Sequence, residues 1–447
     1  MLIRVILFLS YLLFSNSYNI YINDFGALVD GESTTDAALQ NGLAFNKAVK
    51  SSCINDTIIL LENETIYYIP NTDDNSEPFF ENINNIVFNI DGNIILHDNI
   101  SAWPLTPKNT YYHMLDIRYS SNITITGQGT IYGNGYEWWK EFALGNIVRQ
   151  RPSLIEFNTS QNIIIQNITL LDSPRFNIYC YNVLNLEVRY MKIWVDIKKQ
   201  NLIYKNYVSD LHDRITFPFN TDGVDFSGKN IYIHDMNISN YDDVIAVKPS
   251  KNNVEPINNQ IISCTENVLV DNINVYGGVG LSVGSVSPIH NSCIKNVIFQ
   301  NIYAIDPIKF IYIKTQSHKN VTQIQGYIKN ITYQNMTALN PILWPIYLGP
   351  QQQKEPDGTG DGIWPNTNPY INISDIYFKN INVKNSKINP GVLRCNSSNP
   401  CYNVQFQNVT VNNNENKKLN KYICDDGVTV TGSYDLFTYP IPNNCIH

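Results

Sequence analysis

One pattern recurs along most of the chain: asparagine, apolar, any, apolar, any, asparagine, apolar, any, apolar. It reads at Asn122 (NITITGQGTI), Asn162 (NIIIQNITL), Asn230 (NIYIHDMNI), Asn267 (NVLVDNINV), Asn296 (NVIFQNIYA), Asn330 (NITYQNMTA), Asp375 (DIYFKNINV) and Asn403 (NVQFQNVTV). Within each unit the apolar residues alternate, which is the period of a strand. Ile, Val, Tyr and Phe fill the units, and strands favour them. The spacing is irregular, mostly in the twenties to thirties of residues.

Short strands at irregular spacing, separated by Asn and Gly turns, predict a parallel β-helix. Each coil buries its inward side chains against the coil before it. Asparagines at equivalent turns are expected to stack, each amide bonding the next. A propeller needs about four strands per ~40 to 45 residues, and only two or three are visible per repeat. The expectation is therefore all-β, a single-stranded right-handed solenoid. The segment Ala37 to Ser51 is amphipathic, with Ala38, Leu39, Leu43, Phe45 and Val49. It is expected to cap the open N-terminal edge. A length of 447 residues alone would predict about three domains. A solenoid grows without a break, so one domain over residues 18–447 is expected.

Residues 1–17 read as a secretory signal: Arg4, the apolar run Val5 to Phe14, then small Ser15-Asn16-Ser17. That run is too short for a membrane span of ~20 residues. Export, no membrane partner and an extracellular monomer are expected. Sequons begin at Asn55, Asn63, Asn99, Asn122, Asn158, Asn167, Asn237, Asn320, Asn330, Asn335, Asn372, Asn396 and Asn408. Eight cysteines, an even number, suit an oxidising compartment. Cys395/Cys401, Cys424/Cys445 and Cys264/Cys293 are the expected pairs, with Cys53 and Cys180 left over. No CxxC motif or histidine spacing indicates a structural zinc site. A net charge of -8 argues against a nucleic-acid partner, which needs a basic face.

The informative window is Asn220-Thr-Asp222-Gly223-Val-Asp225, followed by Asp242-Asp243. Asp222 and Asp242 are about one coil apart. Adjacent strands lie about 4.7–4.9 Å apart, so these carboxyls and Asp243 are expected in one cluster. Crowded carboxylates raise at least one pKa, giving an acid beside an ionised base. Inverting glycosidases hold such a pair roughly 6.5–9.5 Å apart, a distance one rung and a lateral offset can supply. A calcium site or plain turn aspartates would share this spacing.

At these residues the chain resembles glycoside hydrolase family 28, the polygalacturonases and their relatives. The resemblance covers nearly all of residues 18–447: NDFGALVDGESTTDAALQNGLAFNKAV (Asn23 to Val49), GQGTIYGNGYEWW (Gly127 to Trp139), SPRFNI (Ser173 to Ile178, with Asn177 where His is common), NTDGVD and DD. It implies metal-free, cofactor-free inverting hydrolysis of α-galacturonosidic bonds in a pectic polysaccharide. Asp242 would be the general acid, and Asp222 and Asp243 would activate water. Asn220 would orient the cluster.

Two departures stand out. Gly278-Val279-Gly280 replaces the family's Gly-His-Gly, and Tyr312-Ile313-Lys314 replaces Arg-Ile-Lys. Lys314 then remains as a point charge for a substrate carboxylate, and Tyr312 and Tyr347 as sugar contacts. Trp138, Trp139 and Trp344 are further candidate sugar platforms. Extra sequence from Pro249 to Cys264 is expected to loop over the cleft. A relative acting on rhamnogalacturonan or xylogalacturonan, an exo-acting relative, a β-helix lyase, or a non-catalytic wall-binding protein are the competing readings.

Overall fold

The computed structural model describes residues 18–446, apart from 53–55, 62–63, 74–75, 208–218, 251–254, 289–291, 317–322, 353–366, 414–419 and 425–428. The expected signal and Cys53 lie outside the described residues, as do sequons Asn55, Asn63 and Asn320. Strands pair in parallel from coil to coil in one continuous sheet. The architecture is the predicted right-handed parallel β-helix.

Register is kept across many coils. Ile155 pairs with Ile178, then Val224, Ile245, Leu281, Ile311 and Ile346, all inward. The next residue of each strand points outward. Those residues form a second column: Glu156, Tyr179, Asp225, Ala246, Ser282, Tyr312 and Tyr347. Strand alternation therefore turns an apolar sequence period into a dry core and a functional face. Inside, Phe299, Tyr333, Phe378 and Phe406 stack at centroid distances of 4.8, 5.9 and 4.8 Å.

The asparagine ladder is present. Asn122 donates its amide to Asn85, Asn162 to Asn122, Asn185 to Asn162, Asn230 to Asn185, Asn267 to Asn230, Asn296 to Asn267 and Asn330 to Asn296, over 2.6–3.4 Å. Every one of these residues has φ between 53° and 58°. Asparagine is the side-chain-bearing residue best suited to that left-handed turn. It supplies both the bend and the cross-coil bond.

The cap helix α1 spans Thr35–Ser51, with Thr34 accepting from the Ala37 amide. Phe45 packs edge-on against Tyr68 and Phe80. Leu39 and Leu43 are only half-buried, and the inner face is completed by Asn41 and Gly42. All three expected disulfides form, and Cys180 is free and buried. Among the described residues no helix is long and apolar enough to cross a membrane.

Candidate active site

Asp222 precedes strand Val224–Asn240, and Asp242 and Asp243 sit at the start of strand Asp243–Val247. The Gly223 amide donates to the Asp243 carbonyl at 2.9 Å, and Val224 pairs with Ile245. The rung-mate of Asp222 is thus Asp243, with Asp242 displaced by one residue. One oxygen from each of the three carboxyls lies within 4.8 Å of the others. All three are buried, at 3%, 7% and 2% exposure.

Their environments differ. Asp243 is pushed up by burial, but Lys314 and Lys248 more than offset this and hold it at about 2. Lys314 Nζ lies 2.8 Å and Lys248 Nζ 3.4 Å from Asp243 Oδ2, and Ser282 donates to Oδ1 at 2.5 Å. Asp242 is pushed up to about 7, by burial first and by the charge of Asp243 second. Asp222 is raised well above the usual carboxylate range by burial, Asp225 and Asp242. Asp222 Oδ1 and Asp242 Oδ2 are buried with no hydrogen-bond partner among the described residues. Two protonatable carboxyls therefore face an ionised one, and their unused oxygens remain for a ligand. The oxygens are close enough to share a cation. Two lysines, Lys314 and Lys248, contact the cluster directly.

The amide that braces the cluster is Asn240, which the sequence reading missed. Its Nδ2 donates to the carbonyls of Thr221 (3.0 Å) and Asp243 (2.8 Å). Asn220, expected in this role, sits at φ 52° in the turn with no hydrogen bond to an aspartate among the described residues. Asn177 donates to the Asp222 carbonyl at 3.0 Å. Lys248, also missed, bridges Asp225 (3.2 Å) and Asp243. Their adjacency depends on register between coils, which no local motif encodes.

Tyr312 and Tyr347, expected to touch sugar, are 1% and 2% exposed. They pack edge to face, centroids 5.1 Å apart, in an apolar cluster with Val279, Leu343 and Trp344. Trp138 and Trp139 are also core residues. Lys314, expected to await a substrate carboxylate, is the partner of Asp243. The insert from Pro249 turns at Ile257–Gln260. It rests against the earlier coils through Asn182 to the Glu255 carbonyl and Asn258 to Gln161.

Residues 83–427 match the family model of glycosyl hydrolases family 28. The chain belongs to that family. A probable endo-xylogalacturonan hydrolase A of Aspergillus oryzae is 26% identical over 291 residues, 64% of this chain and 60% of that relative. A polygalacturonase of Cryptomeria japonica is 22% identical over 408 residues, 89% of this chain and 68% of that one. Among solved structures, the endo-xylogalacturonan hydrolase from Aspergillus tubingensis superposes with TM-score 0.65 at 19% identity, covering 93% of this chain and 99% of that one. Endopolygalacturonase I from Stereum purpureum, solved with two galacturonate, gives 0.58 at 18% identity over 88% and 98% of the two chains. The match spans about 60% of the length of the curated xylogalacturonan hydrolase relatives. For this family 28 chain, these structural likenesses establish the fold.

Proposed function

We propose that this family 28 protein is an inverting glycoside hydrolase that cleaves α-galacturonosidic bonds in pectin. The observation that carries this is three buried carboxyls with oxygens within 4.8 Å of one another, of which Asp243 alone is paired with two lysines, so that burial pushes Asp242 up to about 7 while Asp243 is held at about 2. Asp242 holds the proton that a leaving glycosidic oxygen needs, and Asp243 is an ionised base. Asp222 shares with Asp243 the task of holding the attacking water. No cofactor is called for by this chemistry. Residues 18–447 act as one domain, exported and monomeric.

The test is incubation with polygalacturonate, rhamnogalacturonan and xylogalacturonan, followed by product and reducing-end analysis. Formation of new reducing ends is expected from the native protein and not from Asp242→Asn. If none appears on any substrate, the hydrolase reading fails and a non-catalytic wall-binding protein takes its place. Because the carboxyl oxygens approach within 4.8 Å, stereochemistry is checked separately. Proton NMR of the first product should show the inverted anomer, and a retained anomer would overturn that part.

A branched or mixed backbone is the second reading. Val279 and Tyr312 stand where the family carries His and Arg, and both are buried in an apolar cluster. Xylogalacturonan cleaved faster than polygalacturonate would establish it.

A further inference from the structure

The outward column on the N-terminal side of the three aspartates is densely charged, and nearly every charge is matched. Asp116 takes two hydrogen bonds from Arg118, at 2.9 and 2.6 Å. His113 Nε2 lies 2.9 Å from Glu156. On the other side, Lys248 and Lys314 are held by Asp225 and Asp243. Arg175 differs. Among the described residues no carboxylate lies within 4.0 Å of its guanidinium and no hydrogen bond from its side chain is found.

Arg175 stands in Ser173-Pro-Arg-Phe, one coil before Asp222, because Asn177 bonds the Asp222 carbonyl and Ile178 pairs with Val224. Its guanidinium lies 4.0 Å over the Phe176 ring, and Phe176 lies 5.5 Å from Tyr179 on the outward column. Burial destabilises its charge, and the nearby charges of Asp222, Glu156 and Asp225 offset this only in part. A half-buried guanidinium keeps five donors in a planar fork. An anion of matching shape satisfies such a fork best, and a carboxylate does so with two parallel hydrogen bonds.

We propose that Arg175 binds a substrate carboxylate, that of the galacturonate unit lying one coil to the N-terminal side of Asp222. The inference rests on the hydrolase reading above. It supplies what the departures at Val279 and Tyr312 removed: a bidentate clamp for a uronate, moved to the opposite side of the three aspartates. Phe176 and Tyr179 orient the fork from behind. Lys314 is then free to serve Asp243 alone.

The test compares native protein, Arg175→Ala and Arg175→Lys. Trigalacturonate and its methyl ester are titrated calorimetrically into each on an Asp242→Asn background, with circular dichroism confirming the fold. Charge-assisted pairs are the strong ones, so Arg175→Ala should weaken trigalacturonate binding about 10- to 100-fold. Arg175→Lys should recover part of the loss, and the ester should lose less than about twofold. Equal loss for acid and ester would overturn the assignment, as would unchanged acid binding. If Arg175→Ala does not fold, the Arg175→Lys comparison of acid with ester decides by the same criterion. A native enzyme that cleaves polygalacturonate while Arg175→Ala cleaves it equally well removes only this inference. A native protein that cleaves no pectic substrate removes the reading beneath it.

Discussion

Asp242 and Asp243 are consecutive in the chain yet are shifted in opposite directions from the ordinary carboxylate range. Burial acts on both, but only Asp243 is in ion-pair contact with two lysines. Activity should therefore need a protonated Asp242 and an ionised Asp243. The rate is expected to fall as pH rises through about 7, with the acidic limb far below the ordinary carboxylate range. A pH profile of kcat/KM checks both limbs. The same shifts make a stability claim. The folded pKa of Asp242 is raised, so the fold holds its proton tightly. That contribution is complete below about 4 and is lost as pH rises to about 7. Asp243 has the opposite sign and loses its contribution as pH falls from about 4 toward 2. Asp242→Asn should lower activity on the order of 10²–10⁴-fold and flatten the fall in Tm between pH 4 and 8.

Lys248 is the other residue on which this balance depends. Lys248→Met leaves Asp225 buried without its cation and should cost on the order of 3–5 kcal/mol, read by urea denaturation. The surviving enzyme should show its acidic limb moved upward, because Asp243 loses one of two positive neighbours. An unmoved limb would remove Lys248 from the electrostatics of the site.

At the scale of elements, the cap helix and the turns make opposite uses of small and polar residues. Gly42 lies inside α1, where helix propensity alone favours alanine by about 1 kcal/mol. A Cβ there would come within 1.8 Å of the Ile69 carbonyl oxygen. Gly42→Ala is therefore expected to destabilise the protein, measured as a lower Tm. The strands were legible because inward residues repeat every second position. The ladder was legible because asparagine recurs at one place in each unit. The site was half legible. Asp222, Asp242 and Asp243 stand in recognisable local motifs. Asn240, Ser282 and Lys248 do not, because each reaches the cluster from a neighbouring position or coil. A pairing offset of one residue made Asp243, not Asp242, the rung-mate of Asp222. Tyr312 and Tyr347 read as sugar contacts from their places relative to the family's motifs; the apolar residues packed around them, Tyr241, Val279, Leu343 and Trp344, come from other coils and carry no local signal of that packing.

For the whole molecule, each coil contacts mainly the coils beside it, so stability is close to a sum of neighbouring interfaces. The bond between Cys264 and Cys293 crosses one such interface and closes a 29-residue separation. Replacing both by serine should cost about 3–4 kcal/mol by the loop-entropy argument, with unfolding beginning near that seam. Hydrogen exchange resolved along the sequence would locate it. Uniform loss of protection over all coils would instead show that the solenoid melts as one unit.

The asparagine ladder also has a direction. Each amide gives its hydrogen toward the N-terminal coil and receives one from the C-terminal coil. A carboxylate can only receive. The column that runs unbroken from Asn85 to Asn330 restarts at Asp375, which accepts from Asn403 at 2.6 Å. Asp306 likewise begins a column as acceptor for Asn340, which in turn accepts from Asn385. Deamidation of any middle rung would convert a link into such a terminus. Chemical ageing of one exposed side chain would thus divide a continuous column into two shorter ones, at a position that sequencing or mass spectrometry can name.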